Sequence, residues 1–177
     1  MTLVIRRYEP DDLEGVRAVH TAAFRRRDDP GALPIEVTLF DRLLARGDVV
    51  PELSIVAIDN ERIIGHVVCS WARVGDRTVV GLGPIGVVPE RQARRVGTSL
   101  MESVLSEADR LGFPLIALLG WPDYYRRFGF MPAASLGIDA PDPAWNEHFQ
   151  AKPLSRYDPS IRGPFHYAPP FDEVAAT

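Results

Sequence analysis

The sequence predicts an α/β domain whose sheet is largely antiparallel. Three observations carry this prediction. Strand and helix patterns alternate along the chain in the order β-α-α-β-β-β-α-β-α, and tight turns at Asp59-Asn60-Glu61 and Gly75-Asp76 join three consecutive strands. Tight turns between successive strands produce antiparallel neighbours. The last of these three strands is interrupted by glycines and Pro84, a combination that indicates a β-bulge because proline cannot donate to a strand ladder.

The first third of the chain predicts one strand and two helices. Residues 3–7 alternate as in a short strand, and the turn Pro10-Asp11-Asp12 follows. Apolar residues then recur at helical spacing over 13–24 and again over 35–44, which predicts two amphipathic helices. Between them, 25–31 combines opposite charges with turn residues and is interpreted as a solvated loop.

The remainder predicts the meander, a long helix and a less regular end. Strands are expected over 54–58, 63–74 and 78–88. An amphipathic helix runs from about residue 94 to Leu111 and is stopped by Gly112 and Pro114. A buried strand over 115–119 and a short helix over 122–128 follow, and then a proline-rich tail with weak strand signals.

Composition narrows the class of protein. The chain has 177 residues, 46% of them apolar and 25% charged, which fits one ordinary globular domain. The single cysteine, Cys69, excludes an intramolecular disulfide and a cysteine-based zinc cluster, and the four scattered histidines show no metal spacing. We therefore expect a reducing, cytoplasmic setting and no metal.

Charge and hydropathy exclude two kinds of partner. The net charge of −4 argues against a broad surface for nucleic-acid backbone. The uncharged runs are too short to span a bilayer, and the N-terminal residues lack the apolar core and cleavage site of a signal peptide. We expect neither a nucleic acid nor a membrane as a partner.

Residues 81–86 match the pattern G-x-G-x-x-G, so dinucleotide binding must be considered. That motif requires a helix to open directly after its last glycine, so that amides meet the pyrophosphate. Here Gly86 continues into Val87-Val88-Pro89, which is still strand. The bulge is the preferred interpretation, and a bulged strand splays from its neighbour and leaves backbone groups facing a groove.

The segment 87–98 leaves the bulged strand and opens a helix. Backbone amides at a helix start suit a pyrophosphate, and Arg91, Arg94 and Arg95 would reinforce the site. The alternative is a solvated basic turn, which charge alone favours. The order of strand, bulge and loop favours the anion site.

These residues resemble the GNAT family of acetyl-CoA-dependent N-acetyltransferases, whose signature is Q/R-x-x-G-x-G/A. The chain supplies Gln92 and Gly97 but has Arg95 where the family has glycine. The resemblance extends to 65–68, to 82–87 and to the end of a G-x-P-x-Y-Y-x-R-F-G-F motif over 120–130. The subgroup with this motif has an acid where this chain has Trp121, and its tail resembles Tyr167-Ala-Pro-Pro-Phe171.

The resemblance implies a single-domain GNAT fold over 1–177, with a core over about 2–135 and a proline-rich extension over about 136–177. The sheet would be split at its bulged fourth strand and carry helices on both faces. The implied function is transfer of an acetyl group from acetyl-CoA to a primary amine by direct attack, the acceptor being a small molecule or a peptide. The resemblance also leaves a homodimer open.

The resemblance also implies the contacts with the acetyl donor. The amide of the residue after Pro84 would face the acetyl carbonyl, the following strand would pair with pantetheine, and the amides over 92–98 would hold the pyrophosphate. A non-glycine residue at position 95 is costly wherever φ must be positive. The predicted cofactor-binding residues are Ile85, Gly86, Val87, Val88, Gln92, Ala93, Arg94, Arg95, Val96, Gly97 and Thr98.

Tyr125 occupies the position at which the family often has a tyrosine that protonates the departing thiolate. The alternative for this aromatic cluster is packing of a short helix. No acid lies on the bulged strand, so the general base is left open among Glu36, His66, Asp123 and a water chain. Each of these three residues is a candidate base or substrate-binding group, and His66 also suits a structural role in an apolar strand.

Two rival functions remain. The replaced glycine and the missing acid on the bulged strand favour a CoA-binding regulatory or sensor module without turnover. A structural or partner-binding domain without any cofactor is the second rival.

Overall fold

Four antiparallel strands form the first half of the sheet. The computed structural model describes residues 3–176. These strands lie in chain order, each paired with the next, and the turn between the second and third is formed by Asn60 and Glu61. They are β1 (Leu3–Arg7), β2 (Val49–Asp59), β3 (Arg62–Val74) and β4 (Arg77–Val87).

Helices cover both faces of these strands. Alternate residues of β2 point to opposite sides, so Ile55 packs in one apolar cluster and Val56 in another. The helices are α1 (Leu13–Ala23), α2 (Ile35–Arg46) and α3 (Val96–Arg110). The cluster around Ile55 contains the apolar face of α3, and the cluster around Val56 contains that of α2, whereas α1 contributes Val19 to the first cluster and Val16 to the second.

The predicted mixed sheet with helices on both faces is therefore confirmed. As expected, α3 ends before Gly112, whose φ of +82° takes the chain out of the helix. The second strand differs from the prediction because it begins at Val49 rather than at residue 54. Val49, Val50 and Leu53 are buried, so core contacts keep the residues around Pro51 extended.

The C-terminal part is more regular than the sequence indicated. The strand β8 (Phe149–Pro153) pairs antiparallel with β5 (Leu115–Leu119) along its whole length, and β9 (Gly163–His166) pairs with the end of β3. The tail is therefore part of the sheet and was wrongly expected to be mostly irregular. The other elements here are α4 (Pro122–Tyr125), β6 (Met131–Pro132), β7 (Ile138–Asp139) and α5 (Pro169–Ala175).

The sheet splits where β4 bulges. The pairing of β4 with β3 shifts register between Leu82 and Ile85, across the predicted Gly83-Pro84 bulge. The parallel pairing of β4 with β5 is confined to Val80 and Gly81 opposite Ile116 and Ala117. Beyond Gly81 the two strands separate, which confirms the predicted split and opens a cleft at that edge.

The ends of the predicted domain, residues 1–2 and 177, lie outside the described part of the chain. Between residues 3 and 176, no helix is both long and apolar enough to cross a bilayer. Within the same range, no three His, Cys, Asp or Glu side chains converge as a metal site.

Candidate functional site

A cavity of about 250 Å³ lies where β4 and β5 separate. The bulge residues 82–85 line it, together with Leu119 at the end of β5. Tyr125 and Glu36 of α2 line it as well. The remaining wall comes from both ends of the chain, through Phe24, Leu39, Trp145, Tyr167 and Phe171.

The ring of Tyr125 lies directly over the backbone of Gly120. A Cβ atom at Gly120 would overlap the ring, so glycine is required for this close approach. Burial, together with the neighbouring Tyr124, raises the pKa of Tyr125 to about 12. The phenol therefore carries its proton at neutral pH and can donate it into the cavity.

The neighbouring Tyr124 belongs to a different cavity, of about 370 Å³, at the start of α3. Its hydroxyl lies 2.9 Å from the position that a Cβ of Gly97 would occupy. The guanidinium carbon of Arg127 lies 4.1 Å from the centre of the Tyr124 ring. Val87 and Gln92 also line this cavity, and the Gln92 side-chain amide donates to the Val87 carbonyl at 3.0 Å.

The chain enters α3 through two residues with left-handed backbone. Ala93 has a φ of +57° and Arg95 a φ of +65°. At the start of α3 the Ser99 amide donates a hydrogen bond to the Arg95 carbonyl, at 2.9 Å. The amides of the first turn, over 96–98, precede that bond and have no helical acceptor. The cavity at α3 thus combines a helix N-terminus with the side chains of Arg95 and Arg127, an arrangement that favours an anion.

Arg91 forms an ion pair with the end of a strand, which the sequence did not indicate. Its guanidinium lies 2.8 Å from the carboxylate of Asp59, whose side chain is 1% exposed. Asp59 ends β2, so this ion pair fastens the loop before α3 to the sheet. Arg91 is not among the residues that line the cavity at α3, and its predicted contribution to the anion site stays a prediction.

The three candidate bases lie in different places. Glu36 lines the cavity at the bulge, and burial raises the pKa of its carboxyl. His66 is fully buried, with its two ring nitrogens next to His20 and Ser54, and it is not part of the cavity wall. The Asp123 side chain is 94% exposed and pairs with Arg126 at 2.6 Å, also outside that wall.

The other predicted residues divide between the two cavities. Ile85 lines the cavity at the bulge, whereas Val87, Gln92, Ala93, Arg95, Gly97 and Thr98 line the cavity at α3. Gly86 faces α1, with His20 and Phe24 beside it. The side chains of Val88 and Val96 are buried in the core, which leaves only their backbone for a ligand contact, and Arg94 is exposed.

Sequence reasoning missed most of the apolar wall. The sequence pattern indicated Phe24 and Leu39 only as helix positions, and Leu119 only as the end of a strand. Trp145 and Phe171 come from the tail and reach the cavity because β8 and β9 join the sheet. The available signal was the tail motif 167–171, which contributes Tyr167 and Phe171. Arg127 was also missed, although it lies in the motif next to Tyr124.

Comparison with known proteins agrees with this geometry. A family model described as an acetyltransferase (GNAT) domain matches residues 4–133. The chain is 28% identical over 176 residues to the uncharacterized N-acetyltransferase YjhQ of Escherichia coli K12, covering 95% of this chain and 93% of that protein. It is 30% identical over 121 residues to the uncharacterized N-acetyltransferase YhbS of the same strain, covering 67% of this chain and 71% of that protein.

Two similar solved structures hold a ligand of the same kind. The GNAT family N-acetyltransferase YhbS from Escherichia coli, in complex with CoA, superposes with a TM-score of 0.86 at 26% identity over 96% of this chain and 92% of that one. A GNAT family acetyltransferase from Brucella melitensis, in complex with acetyl-CoA, has a TM-score of 0.78 at 29% identity, with 97% and 99% covered. With its split sheet and its family match over most of its length, the chain belongs to the GNAT family of N-acetyltransferases.

Proposed function

We propose that the protein transfers an acetyl group from acetyl-CoA to a primary amine, with Tyr125 as the acid that protonates the leaving sulfur. One observation carries this proposal: Ile85, on the bulge, and Tyr125 line the same cavity at the split of the sheet. Family membership makes acetyl-CoA the acetyl donor, and the two similar structures hold CoA and acetyl-CoA. The acceptor comes from the opposite side of the cleft, where Glu36 and the tail lie.

The residues present fit this donor. The cavity at α3 offers helix-start amides and Arg95 and Arg127 to a pyrophosphate. Among residues 3–176, no strand pairs with the far side of β4 beyond Gly81, so an extended chain such as pantetheine can lie along it. The cavity at the bulge is then the place for the thioester.

The transfer forms one bond and breaks another. The acceptor nitrogen attacks the carbonyl carbon, the new bond being C–N, and the C–S bond breaks with its electron pair on sulfur. The Tyr125 hydroxyl donates its proton to that sulfur, and the proton lost by the nitrogen restores the phenol directly or through water. A neutral amine therefore reacts without net proton release, whereas an ammonium first gives one proton to solvent.

Backbone amides at the bulge supply a second contribution to catalysis, beside the acid. Negative charge develops on the carbonyl oxygen during attack, and a preorganised donor aimed at that oxygen lowers the barrier. The interruption of strand pairing between Leu82 and Ile85 is the feature of β4 that frees such groups.

Isothermal titration with acetyl-CoA, followed by thiol release with a panel of primary amines, tests the proposal. We expect binding and amine-dependent release. Binding without release on any amine would instead support the regulatory or sensor module. A structural domain without cofactor would give no heat of binding and no thermal shift at a hundredfold excess over a micromolar Kd, where about 2.7 kcal/mol of stabilisation is expected.

A further inference from the structure

Resting on the proposed function, we propose that the acceptor is a small primary amine carried on an apolar or aromatic group, and that Glu36 binds its ammonium. The cavity at the bulge joins one acidic side chain to a wall made mostly of apolar and aromatic side chains. Those two features together select the chemical class of the acceptor.

Glu36 is the acidic side chain of this wall. Among the residues that line the cavity, it alone carries a carboxylate, and no lysine or arginine lines the cavity with it. Within residues 3–176, Glu36 takes part in no ion pair. A half-buried carboxylate without a cation has lost hydration that a positively charged ligand can replace.

The rest of the wall disfavours a polar acceptor. Leu39, Leu119 and Phe171 present hydrocarbon, and Trp145 and Tyr167 present aromatic rings. The Tyr167 ring stacks on Phe171 with centroids 4.2 Å apart, which makes this side of the wall a continuous aromatic surface. A polar body buried here would leave hydrogen-bonding groups without partners, at a cost in affinity.

The size of the cavity favours a small molecule over a peptide. At about 250 Å³ it is below the usual range of ligand pockets, about 300–1,000 Å³. Each peptide unit that entered would bring an amide and a carbonyl that need partners. Few side chains of the wall could supply them.

A second cavity of about 410 Å³ adjoins the first and shares Phe24 and Glu36 with it. Leu33, 62% exposed, and Ile35, 45% exposed, lie on its wall, and so does Arg26, whose guanidinium is paired with Asp28 rather than with Glu36. This outer cavity can take the distal part of a longer apolar substituent while the nitrogen stays beside Glu36. Glu36 thus lies where the two cavities meet, next to the reacting nitrogen and at the entrance to the cavity that takes the apolar body of the acceptor.

The test compares phenethylamine with ethanolamine, two primary amines of which the first carries an aromatic ring where the second carries a hydroxyl. Transfer is followed by thiol release, and amine binding is measured separately by titration in the presence of CoA. We expect kcat/KM to be higher for phenethylamine.

Glu36→Gln should lower kcat/KM for phenethylamine about tenfold or more, mainly through the KM of the amine, with the Kd of acetyl-CoA unchanged. Glu102→Gln, an exposed glutamate of α3, is the matched control.

A second variant tests the apolar wall alone. Leu119 is 43% exposed, so Leu119→Gln should fold, and we expect it to lower kcat/KM for phenethylamine about fivefold relative to ethanolamine. Leu111→Gln, at a similarly exposed leucine outside the cavity, should leave that ratio unchanged. Melting curves show that each variant is folded.

The outcomes separate this inference from the proposed function. Faster turnover of ethanolamine, or of the dipeptide alanylglycine, than of phenethylamine would overturn the inference and leave acetyl transfer standing. Binding of phenethylamine that Glu36→Gln weakens, with no thiol release, would support the inference and remove the proposed transfer. Equal binding of phenethylamine to the wild type and Glu36→Gln would overturn the role of Glu36.

Discussion

The Nε2 atom of His20 lies 2.8 Å from the Nδ1 atom of His66, and both rings are completely buried. The other nitrogen of His66 lies 3.0 Å from the hydroxyl oxygen of Ser54. A hydrogen-bonded chain thus joins helix α1 to strands β3 and β2 through the interior. Because α1 also carries Phe24 to the wall of the cavity, the chain of bonds helps to position that wall.

The stability of the fold should depend on pH through this pair. Burial lowers the pKa of His20 to about 4, and burial and the charge of His20 lower the pKa of His66 well below its ordinary value. Below about pH 6.5 the unfolded chain binds protons at these histidines, whereas in the folded chain both stay neutral to lower pH. The contribution of the neutral pair to the free energy of unfolding is therefore complete above pH 6.5. It is lost as the pH falls towards 4, by about 3 kcal/mol for His20 alone.

Urea unfolding at a series of pH values measures this effect. We expect the decline in the free energy of unfolding between pH 6.5 and 4 to be smaller in His20→Phe than in the wild type. His166→Gln, at an exposed histidine, should keep the wild-type decline. Parallel curves for His20→Phe and the wild type would contradict the assignment.

Tyr125→Phe should lower kcat about a hundredfold, since a positioned acid contributes at least about that factor. The Kd of acetyl-CoA should change less than twofold, because only the hydroxyl group is removed and the ring stays. Tyr157→Phe is the control, because Tyr157 lies outside both cavities. An unchanged kcat with steady-state thiol release would remove Tyr125 from the acid role.

Arg95→Gly should stabilise the protein by about 1 kcal/mol, because position 95 has a φ of +65° and glycine reaches the left-handed region without strain. Thermal unfolding measures this. Titration should give equal or tighter binding of acetyl-CoA, because we expect the unstrained helix-start amides to compensate for the charge that Arg95 contributes to the cavity. Arg94→Gly removes the same charge from the neighbouring position and should give no gain in stability. A large loss of affinity in Arg95→Gly would identify its guanidinium as a phosphate ligand.

Arg91→Ala should destabilise the fold by about 3 kcal/mol, because it leaves the buried carboxylate of Asp59 without its ion-pair partner. The Kd of acetyl-CoA should rise as well, since the loop before α3 loses its attachment to β2. Arg62→Ala is the matched control: Arg62 pairs with Glu90 in the open, with side chains 65% and 53% exposed. Its removal should cost less than about 1 kcal/mol. Equal effects of the two substitutions would contradict the anchoring role.

Local pattern predicted the elements that depend on neighbours in sequence. The bounds of β5 are those expected, and the bulge at Gly83-Pro84 follows from two residues that cannot continue a regular ladder. The strand β8 escaped prediction because what keeps it in place is its pairing with β5, more than thirty residues earlier in the chain. The first half of β2, around Pro51, is likewise held by core contacts.

The candidate site likewise combines features set by neighbours in sequence with features set by packing. The motif around Gln92 and Gly97 indicated the anion cavity at α3, since helix-start amides arise from the local backbone. That motif did not reveal that Arg91 pairs with Asp59, because the ion pair joins two separate elements. The motif over 120–130 indicated Tyr125 but did not reveal that Tyr124 lines the anion cavity, because the placement of the two rings depends on how the short helix α4 packs.

Residues close together in the chain are enough to predict the α/β class, the bulged strand, the helix-start loop and the resemblance to acetyltransferases. Tertiary packing settles which of the candidate bases lines the cavity at the bulge: Glu36 does, whereas His66 is enclosed in the core. The physical reason is that burial and distance between elements are set by packing. Packing likewise brings Trp145 and Phe171 from the tail to complete an apolar wall around a single carboxylate.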